Sequence, residues 1–415
     1  MRGKKVMITA AVTAVAIVGA TAWHFASASS SDKTSDTASS QQAAGQSSTG
    51  AGATPTVAQT SPAGGTTPTA SPGTPAASSA DPSALGVFAS DGTTLLSTFP
   101  SLSAITNALP AGSRTVTTID PRYQNAASTA LGSHPDSSMV VLQASTGHIL
   151  AAAFEGPQDV DPFQATLAPG STFKVITAED LLRNGLTTSS PMPCITKNTQ
   201  YNVVNDSPSL TNSSATLDYA FTWSCNTSFV GKLGLLDSSG SPLDKESTTY
   251  FGLNKQWNLG LGAATYGASG AENVPAASGG QFAQEMFGQG GITVSPLNMA
   301  SVAATVDTGR FHQPVLLPNQ KPLATATPLS SHVDSELKTL MLDTVTKGTA
   351  KSLRGLSPAV GAKTGTAEPG NQGPNNSWMI AYQGDIAVAC VVQGGNFGDD
   401  SAGPAIAAMF KAAAR

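Results

Sequence analysis

The sequence predicts an α+β fold in which helices flank an antiparallel sheet, and the order of its apolar segments is the reason. Two runs typical of strands, 138–142 and 149–153, are separated by the turn sequence Ala-Ser-Thr-Gly-His. Two more, 377–382 and 386–392, come near the C-terminus, and a helical pattern over 403–414 closes the chain. Strands at both ends of a region, with helices inserted between them, favour a mixed domain around an antiparallel sheet.

The first 25 residues predict a membrane anchor. Basic residues precede an uncharged run over 6–25. At about 1.5 Å per residue this run is long enough to cross a bilayer. The basic flank predicts a single-pass protein whose N-terminus stays in the cytoplasm and whose remaining residues lie outside it. A cleaved signal peptide, processed near Ala26–Ala28, is the alternative and leads to the same compartment.

Composition divides the rest of the chain into three parts. Residues 26–82 are Ser, Thr, Ala, Gly and Pro with almost no large apolar side chain, which predicts a disordered tether. A passive spacer or a glycosylated stalk would have the same composition. Residues 83–112 contain a little apolar sequence and are interpreted as a short remnant N-terminal segment. Residues 113–415 are long enough for one large packed domain.

Charge and ligand spacing exclude several classes of function. The 415-residue chain has a net charge of −5 and carries no basic stripe or tail, so nucleic acid is not an expected partner. Its five histidines and three cysteines form no metal-ligand spacing such as Cys-x-x-Cys. Neither a metal nor another cofactor is expected.

The remaining elements of the packed domain follow from periodicity and from turn residues. In order, the sequence predicts a strand over 114–121 that runs into a turn, helices over 125–131 and 173–182, and a polar loop over 187–217. Helices over 219–236, 296–306 and 334–346 and a strand over 359–367 follow.

The turn Pro169-Gly170 introduces the first motif, since it places Ser171 in the first turn of the helix that follows. Lys174 lies three residues later, so the hydroxyl and the amine share one helix face. The helix N-terminus favours negative charge on whatever bonds to this serine. The spacing alone is weak, because Ser30/Lys33 and Ser335/Lys338 match it too.

Two further motifs in the same chain make the first one specific. Ser224-Cys225-Asn226 follows it, and Lys363-Thr364-Gly365-Thr366 comes later. Taken singly, the former could be a helix cap and the latter an exposed strand end. A Ser-x-x-Lys, a Ser-x-Asn and a Lys-Thr-Gly in this order are the set that serine acyl-transfer enzymes of the β-lactam-binding kind use.

The sequence resembles the transpeptidase domain of the penicillin-binding proteins, in the serine β-lactamase/transpeptidase superfamily, and most of all its monofunctional, class B-like members. The resemblance extends over residues 113–415 and implies an antiparallel sheet flanked by helices, with a helical subdomain. Besides the three motifs, it is carried by Thr117–Pro121 with Gln124, Val140–Leu142, Thr146–Gly147, Ile149–Ala151, Gly288–Gly290, Thr293–Ala300 and Gly348–Ala350.

The resemblance implies a peptidoglycan D,D-transpeptidase that cross-links stem peptides. Ser171 would attack the carbonyl between two D-alanines to form an acyl-enzyme, and β-lactams would acylate the same serine. Lys174 accepts the serine proton only when neutral, so burial and the second ammonium of Lys363 are expected to lower its pKa. Ser224 would relay the proton to the leaving amine, and Asn226 would hold Lys174 and the substrate amide.

The third motif has an implied role in substrate binding. Lys363, Thr364, Gly365 and Thr366 would bind the terminal carboxylate of the substrate. Backbone N–H groups of Ser171 and Thr366 would form the oxyanion hole. The implied partners are stem peptides, β-lactam antibiotics, the membrane through the N-terminal helix, and a glycan polymerase. The implied location is the bacterial cell membrane, with the catalytic domain outside the cytoplasm.

Other outcomes of the same acyl-enzyme stay open. A D,D-carboxypeptidase differs only in accepting water instead of an amine. A serine β-lactamase or β-lactam sensor shares the three motifs, but no Glu-x-x-Leu-Asn stretch of the kind used by one β-lactamase class follows Ser224. A non-catalytic wall-binding protein would be expected to lose a motif. The 30 residues of 83–112 are too few for the family's pedestal or for a glycosyltransferase domain.

The cysteines give a separate expectation. The predicted compartment is oxidising, and Cys225 lies inside the second motif while Cys194 precedes it in the same loop region. The sequence predicts a Cys194–Cys225 disulfide, with Cys390 free and buried in a later strand. Closing that loop would contribute roughly 3–4 kcal/mol in the chain-entropy model.

Overall fold

A computed structural model of the chain describes residues 83–110, 112–156, 160–239, 242–261, 272–369 and 373–415. The predicted anchor over 1–25 and the predicted tether over 26–82 lie outside these residues. Within the described ranges, no helix combines the length and apolar character that a membrane span requires.

Nine strands and eleven α-helices are present in the described residues. The strands are β1 (Gly86–Phe88), β2 (Arg114–Val116), β3 (Ser137–Gln143), β4 (Ile149–Glu155), β5 (Lys197–Asn198), β6 (Val203–Val204), β7 (Val360–Ala367), β8 (Asn376–Gln383) and β9 (Ile386–Val392). The helices are α1 (Ser103–Ala108), α2 (Pro121–Leu131), α3 (Lys174–Arg183), α4 (Leu217–Thr222), α5 (Asn226–Val230), α6 (Leu233–Ser239), α7 (Leu243–Tyr250), α8 (Gly279–Glu285), α9 (Pro296–Thr308), α10 (Ser331–Thr346) and α11 (Ala402–Ala413).

The central sheet has five strands in the order β4-β3-β9-β8-β7, and every neighbouring pair is antiparallel. The hairpin predicted from 138–142 and 149–153 is β3–β4, and the strands predicted over 377–382 and 386–392 are β8 and β9, which pair with each other. The β3 strand from one end of the domain pairs with β9 from the other end. The sheet and its flanking helices confirm the predicted α+β fold.

Each face of the sheet buries a different set of helices. Along β9, Val388 and Cys390 belong to a core shared with α2 and α11, whereas Ala389 and Val391 belong to the core shared with α3, α9 and α10. This alternation follows from the two-residue period of a strand. Trp378 of β8, expected to be a core or groove-wall residue, is fully buried in the second core.

Side chains of the edge strand β7 alternate between the two faces of the sheet in the same way. Its Ala362 packs in the core beneath α2 and α11. The next side chain, Lys363, therefore points to the other face, where α3 lies. A fully buried lysine in an edge strand is rare and needs polar partners, because its desolvation would otherwise be uncompensated.

Local sequence explains where the long helix α9 begins and ends. The side-chain oxygen of Ser295 accepts from the Asn298 backbone N–H, and the Asn298 side chain accepts in return from the Ser295 backbone N–H, which is a capping box. Pro296 occupies the first turn, and Gly309 ends the helix at φ 73°. The predicted helix over 296–306 is thus present and extends to Thr308.

The segment over 83–112 packs against the transpeptidase-like region instead of standing apart from it. Its β1 pairs in parallel with β2, and Val87, Leu96 and Leu102 are buried in the same core as α3 and α9. The described residues all belong to one compact unit. The segment 83–112 thus contributes apolar side chains to the core of the domain that follows it.

The continuous helix expected over 219–236 is wrong. Three short helices, α4, α5 and α6, occupy this stretch, and the chain turns sharply between the first two. Ser224 sits in that turn at φ 62°, a left-handed conformation that ends a helix. The apolar periodicity that predicted one helix shows only which side chains are buried. It cannot show the break in the helix, because tertiary contacts of Ser224 stabilise that break.

The disulfide Cys194–Cys225 is present, with its Cα atoms 6.0 Å apart and a sequence separation of 31. Cys390 is free and buried in β9. Because Cys225 immediately follows Ser224, the bridge fixes the turn between α4 and α5 to the polar loop that precedes it. That loop, expected to lack regular structure, contains the short β5–β6 ribbon.

Candidate active site

Ser171 lies in a single 3-10 turn, Gly170–Phe173, that leads directly into α3. Gly170 adopts φ 53°, and a Cβ built on it would lie 2.2 Å from the Thr366 carbonyl oxygen. Only glycine fits there, because the backbone of β7 passes directly against this turn. The glycine of the first motif thus brings Ser171 beside the third motif.

Lys174 is fully buried and directs its amine at both the first and second motifs. Its Nζ lies 2.8 Å from Ser171 Oγ, 2.9 Å from the Ser224 carbonyl oxygen and 2.6 Å from Asn226 Oδ1. The Ser224 hydroxyl is slightly farther away, at 3.3 Å. Four oxygen atoms from three predicted site residues therefore surround one amine.

This arrangement determines where the lone pair of a neutral amine points. A neutral lysine has two N–H donors, and the Ser224 carbonyl and Asn226 Oδ1 are pure acceptors that take both. The lone pair is then left for the Ser171 hydroxyl, which can donate to it. Neutral Lys174 is held in the orientation that a general base for Ser171 requires.

The pKa of Lys174 is lowered to about 7 by burial, which disfavours the ammonium, while the carboxylate of Asp206 acts in the opposite direction. Burial also lowers the pKa of Lys363 well below its usual value, and repulsion from Lys174 lowers it further. The sequence predicted that burial and Lys363 would both lower the pKa of Lys174. Burial is the lowering cause in the structure, and Lys363 is not among the groups that shift this pKa. A base with a pKa near 7 has a large neutral fraction at neutral pH.

Ser224 connects the two lysines. Its hydroxyl accepts from Lys363 Nζ at 3.0 Å and lies 3.3 Å from Lys174 Nζ. The left-handed backbone of Ser224 makes this bridge, since it turns the hydroxyl and the carbonyl of one residue toward the same buried space. A proton can therefore pass between Lys174 and the Ser224 hydroxyl without a backbone movement.

The third motif is held by close backbone packing. A Cβ on Gly365 would lie 2.9 Å from the Pro169 carbonyl oxygen and 2.8 Å from Thr172 Cγ2, so this glycine is required by contact with the Ser171 turn. Lys363 Nζ donates to the Thr364 carbonyl oxygen at 2.8 Å. Thr366 and Ser171 lie on segments in direct contact, as expected for residues whose N–H groups would share one oxyanion.

Two cavities open beside these residues. One, of about 510 Å³, is lined by Ser224, Thr364 and Thr366 together with the side chains of Trp223 and Phe397. The other, of about 890 Å³, is lined by Ser171 and Asn226 and again by Thr366. The nucleophile thus lines one cavity and the hydroxyl of Ser224 lines the other, and Thr366 lies at the border of both.

Sequence reasoning missed two residues of the site. Asp206 lines both cavities, and its Oδ1 accepts from Asn226 Nδ2 at 2.8 Å. Thr349 Oγ1 lies 2.6 Å from Thr364 Oγ1 and orients that hydroxyl. Thr349 lies in the Gly348–Ala350 segment already noted, where it had no role; Asp206 lies in a polar loop with no recognisable spacing to any motif.

No group of three or more His, Cys, Asp or Glu side chains in the described part of the chain has the arrangement of a metal site. The three motifs together supply the functional groups that acyl transfer requires. A buried serine has a base poised at its hydroxyl, and a second hydroxyl contacts both amines. Space for a ligand exists on either side.

Known proteins similar to this chain agree with the geometry. Residues 137–414 match the penicillin binding protein transpeptidase domain family. The peptidoglycan D,D-transpeptidase PbpA of Mycolicibacterium smegmatis is 29% identical, and the match covers 72% of this chain and 71% of that protein. Its counterpart in Mycobacterium tuberculosis is 27% identical over the same shares.

A solved structure gives the same result at the level of the fold. Penicillin-binding protein A from Mycobacterium tuberculosis, in its ceftriaxone acyl-enzyme complex, is 25% identical, with a TM-score of 0.60 and coverage of 74% of this chain and 81% of that one. The family match extends over more than half of the chain and includes all three motifs. The chain therefore belongs to the penicillin-binding protein transpeptidase family.

Proposed function

We propose that the protein is a peptidoglycan D,D-transpeptidase that forms an acyl-enzyme on Ser171 and that β-lactams inhibit by acylating this serine. The observation that carries the proposal is the 2.8 Å contact between Ser171 Oγ and a buried lysine amine whose two other close acceptors leave its lone pair for the serine. Relatives named peptidoglycan D,D-transpeptidases, and a structural relative described as a β-lactam acyl-enzyme complex, support the same chemistry.

The first half-reaction would proceed by proton transfer from Ser171 to neutral Lys174 as the serine oxygen attacks the donor carbonyl. The N–H groups of Ser171 and Thr366 would stabilise the oxyanion, where one donor is typically worth about 10²–10³ in rate. Lys174 would return the proton through the Ser224 hydroxyl to the leaving amine, which departs as D-alanine. Thr364 and Thr366, which line the cavity beside Ser224, would hold the terminal carboxylate of the donor, and the buried Lys363 would act through the Ser224 hydroxyl.

In the second half-reaction an acceptor amine would attack the Ser171 ester and restore the serine. The two cavities that meet at Thr366 give room for a donor on one side and for a leaving or attacking amine on the other. A base dedicated to activating water is not supported by any carboxylate in contact with Ser171 or Lys174 among the described residues. This favours transfer to an amine over D,D-carboxypeptidase or β-lactamase activity.

The location of the enzyme is part of the proposal and is supported by sequence alone. The uncharged run over 6–25 with its basic flank would anchor the protein in the cell membrane. The polar stretch over 26–82 would let the catalytic domain reach polymeric peptidoglycan outside the cytoplasm. A glycan polymerase that supplies new strands is the expected protein partner.

Labelling with a fluorescent penicillin tests the proposal. The parent protein should gain one penicilloyl group on Ser171, seen by intact mass and peptide mapping, and Ser171→Ala should gain none. Deacylation should take minutes or longer, and donor and acceptor strands supplied together should give cross-linked product. An adduct elsewhere would refute the acyl-enzyme assignment. Rapid turnover of penicillin would favour a β-lactamase, and D-alanine release without cross-links a carboxypeptidase.

A further inference from the structure

Asp206 occupies a position that the motif chemistry does not explain. It follows β6 in the loop opposite the second motif, and its carboxylate accepts from Asn226 Nδ2 at 2.8 Å. The same Nδ2 also donates to the Val204 carbonyl oxygen at 3.2 Å. Both amide hydrogens of Asn226 are therefore used on the side of this loop.

The direction of the Asn226 amide follows from these two acceptors. With Nδ2 held by a carboxylate and a carbonyl, Oδ1 is left to face Lys174 Nζ at 2.6 Å. A flipped amide would place its oxygen against the Asp206 carboxylate and the Val204 carbonyl, and its NH₂ against the lysine donors. Asp206 thus selects the one orientation in which Asn226 takes a hydrogen from Lys174.

The loop that carries Asp206 is rigidly attached to the same helix. The neighbouring side chain, Asn205, accepts from the Thr227 backbone N–H at 3.1 Å and donates to the Ile195 and Leu210 carbonyl oxygens. Consecutive residues 205 and 206 therefore hold consecutive residues 227 and 226 at the start of α5. The Cys194–Cys225 disulfide fixes the base of this arrangement.

We propose that Asp206 is a positioning residue of the acyl-transfer site, which orients the Asn226 amide and through it the Lys174 amine that deprotonates Ser171. The inference rests on the proposed function. Asp206 does not touch the nucleophile, and it acts along the chain Asp206–Asn226–Lys174–Ser171, in which each link is a hydrogen bond of 2.8 Å or less.

Charge gives this role a second signature. The titratable groups that face Lys174 are the Lys363 amine on β7 and the Asp206 carboxylate. The rings of Phe229 and Phe287 lie 5.4 and 6.0 Å from its Nζ. Asp206 raises the pKa of both lysines against the effect of burial. Removing its charge while keeping its shape should extend acylation to lower pH.

Three variants separate these effects: Asp206→Ala, Asp206→Asn and, as a matched control, Asp237→Asn on the exposed surface of α6. The measurement is the second-order rate constant for acylation by a fluorescent penicillin between pH 5 and 9, with thermal unfolding as the folding check. Asp206→Ala should lose about tenfold or more on the high-pH plateau, where Lys174 is neutral in both proteins, because a misplaced base loses its alignment. Asp206→Asn, whose amide oxygen still accepts from Asn226, should keep most of the rate at high pH.

The acid limb of the Asp206→Asn profile should shift to lower pH, because the carboxylate that raises the pKa of Lys174 is gone. In an Asn226→Ala background, Asp206→Ala should cost little more, because the two residues act in series. Parent-like acylation by Asp206→Ala, or a full additional loss in the double variant, would overturn the positioning role. An unshifted acid limb in Asp206→Asn would overturn the role of its charge. Failure of the parent to be acylated would instead refute the proposed function itself.

Discussion

Helix α3 carries two buried clusters of like charge, and they have opposite relations to the active site. At its start, Lys174 and Lys363 form a lysine pair bridged by the Ser224 hydroxyl. About one and a half turns later, Glu179 and Asp180 lie beside Glu246 of α7 and Arg183, forming a carboxylate cluster. Burial shifts the pKa values in both: it lowers those of the lysines and raises those of Glu179 and Asp180.

The lysine pair and the carboxylate cluster differ in their hydrogen-bond partners and in whether a ligand can reach them. Arg183 binds Glu246 through two hydrogen bonds of 2.8 Å and Asp180 through a third of 2.9 Å, so the carboxylate cluster contains its own counter-charge. The lysine pair has mainly neutral oxygens as partners, and the residues around it line two cavities. Neither active-site cavity is lined by a residue of the carboxylate cluster. Shifted pKa values therefore occur in both clusters, and only the lysine pair lies beside cavities that a ligand could enter.

We expect the largest effect on the acylation rate constant, and the largest difference between the two clusters, when Lys and Arg are exchanged in each of them. Lys174→Arg keeps the charge but removes the base, because a guanidinium is not deprotonated, and the acylation rate constant should fall by about 10²–10⁴. Arg183→Lys, the matched control in the carboxylate cluster, should change acylation by less than about threefold when expressed per folded molecule. Fluorescent-penicillin kinetics measure both. Parent-like acylation by Lys174→Arg would mean that another group is the base.

Removing the nitrogen-bearing group of one residue from each cluster should have unequal effects on stability. Arg183→Met leaves three buried carboxyl groups without their counter-charge and should lower the free energy of unfolding by about 2–4 kcal/mol, discounted for the partial exposure of the arginine. Lys363→Met removes a buried amine whose pKa burial and Lys174 hold well below its usual value, and it should be nearly neutral for stability, while acylation falls. Denaturant unfolding and acylation assays on the same preparations test this contrast. A stable Arg183→Met would show that the cluster does not need its arginine.

The carboxylate cluster should also give a pH-dependent stability. Burial and Glu246 raise the pKa of Asp180 to about 7. Because this folded-state pKa lies above the unfolded value, the folded state binds the Asp180 proton more tightly than the unfolded state does. The stability that this proton contributes is fully present below about pH 4 and is lost as pH rises toward 7. Asp180→Asn does not titrate, so its stability relative to the parent should rise over that interval, on the order of 2 kcal/mol. A difference that stays constant with pH would argue that Asp180 ionises normally.

The smallest expected effect concerns the lysine pair in the parent protein. Acylation needs neutral Lys174, whose pKa is about 7, so its rate constant should fall about fivefold between pH 7 and pH 6. Stopped-flow acylation across this range, with penicillin intact at each pH, gives the profile. A rate that is flat down to pH 5 would indicate that Lys174 stays neutral throughout or is not the base.

Much of the fold could be predicted from short stretches of sequence, because the residues within each stretch cause its structure. The hairpins β3–β4 and β8–β9 follow from apolar runs around short turns, and α9 follows from its capping residues and terminal glycine. The strand β7 and the helix α3 were also found near their observed bounds. The second motif was the exception, since the helical pattern over 219–236 concealed the turn at Ser224.

By itself, the sequence determined which residues are candidates for the chemistry. The three motifs name Ser171, Lys174, Ser224, Asn226 and Lys363 by type and order, since a reaction requires particular functional groups. Only the tertiary structure decided how those groups are oriented and charged. The pKa of Lys174 depends on burial among distant segments, and the Asn226 amide depends on Asp206, a residue in no motif. Both are properties of a three-dimensional environment, so no spacing along the chain could have revealed them.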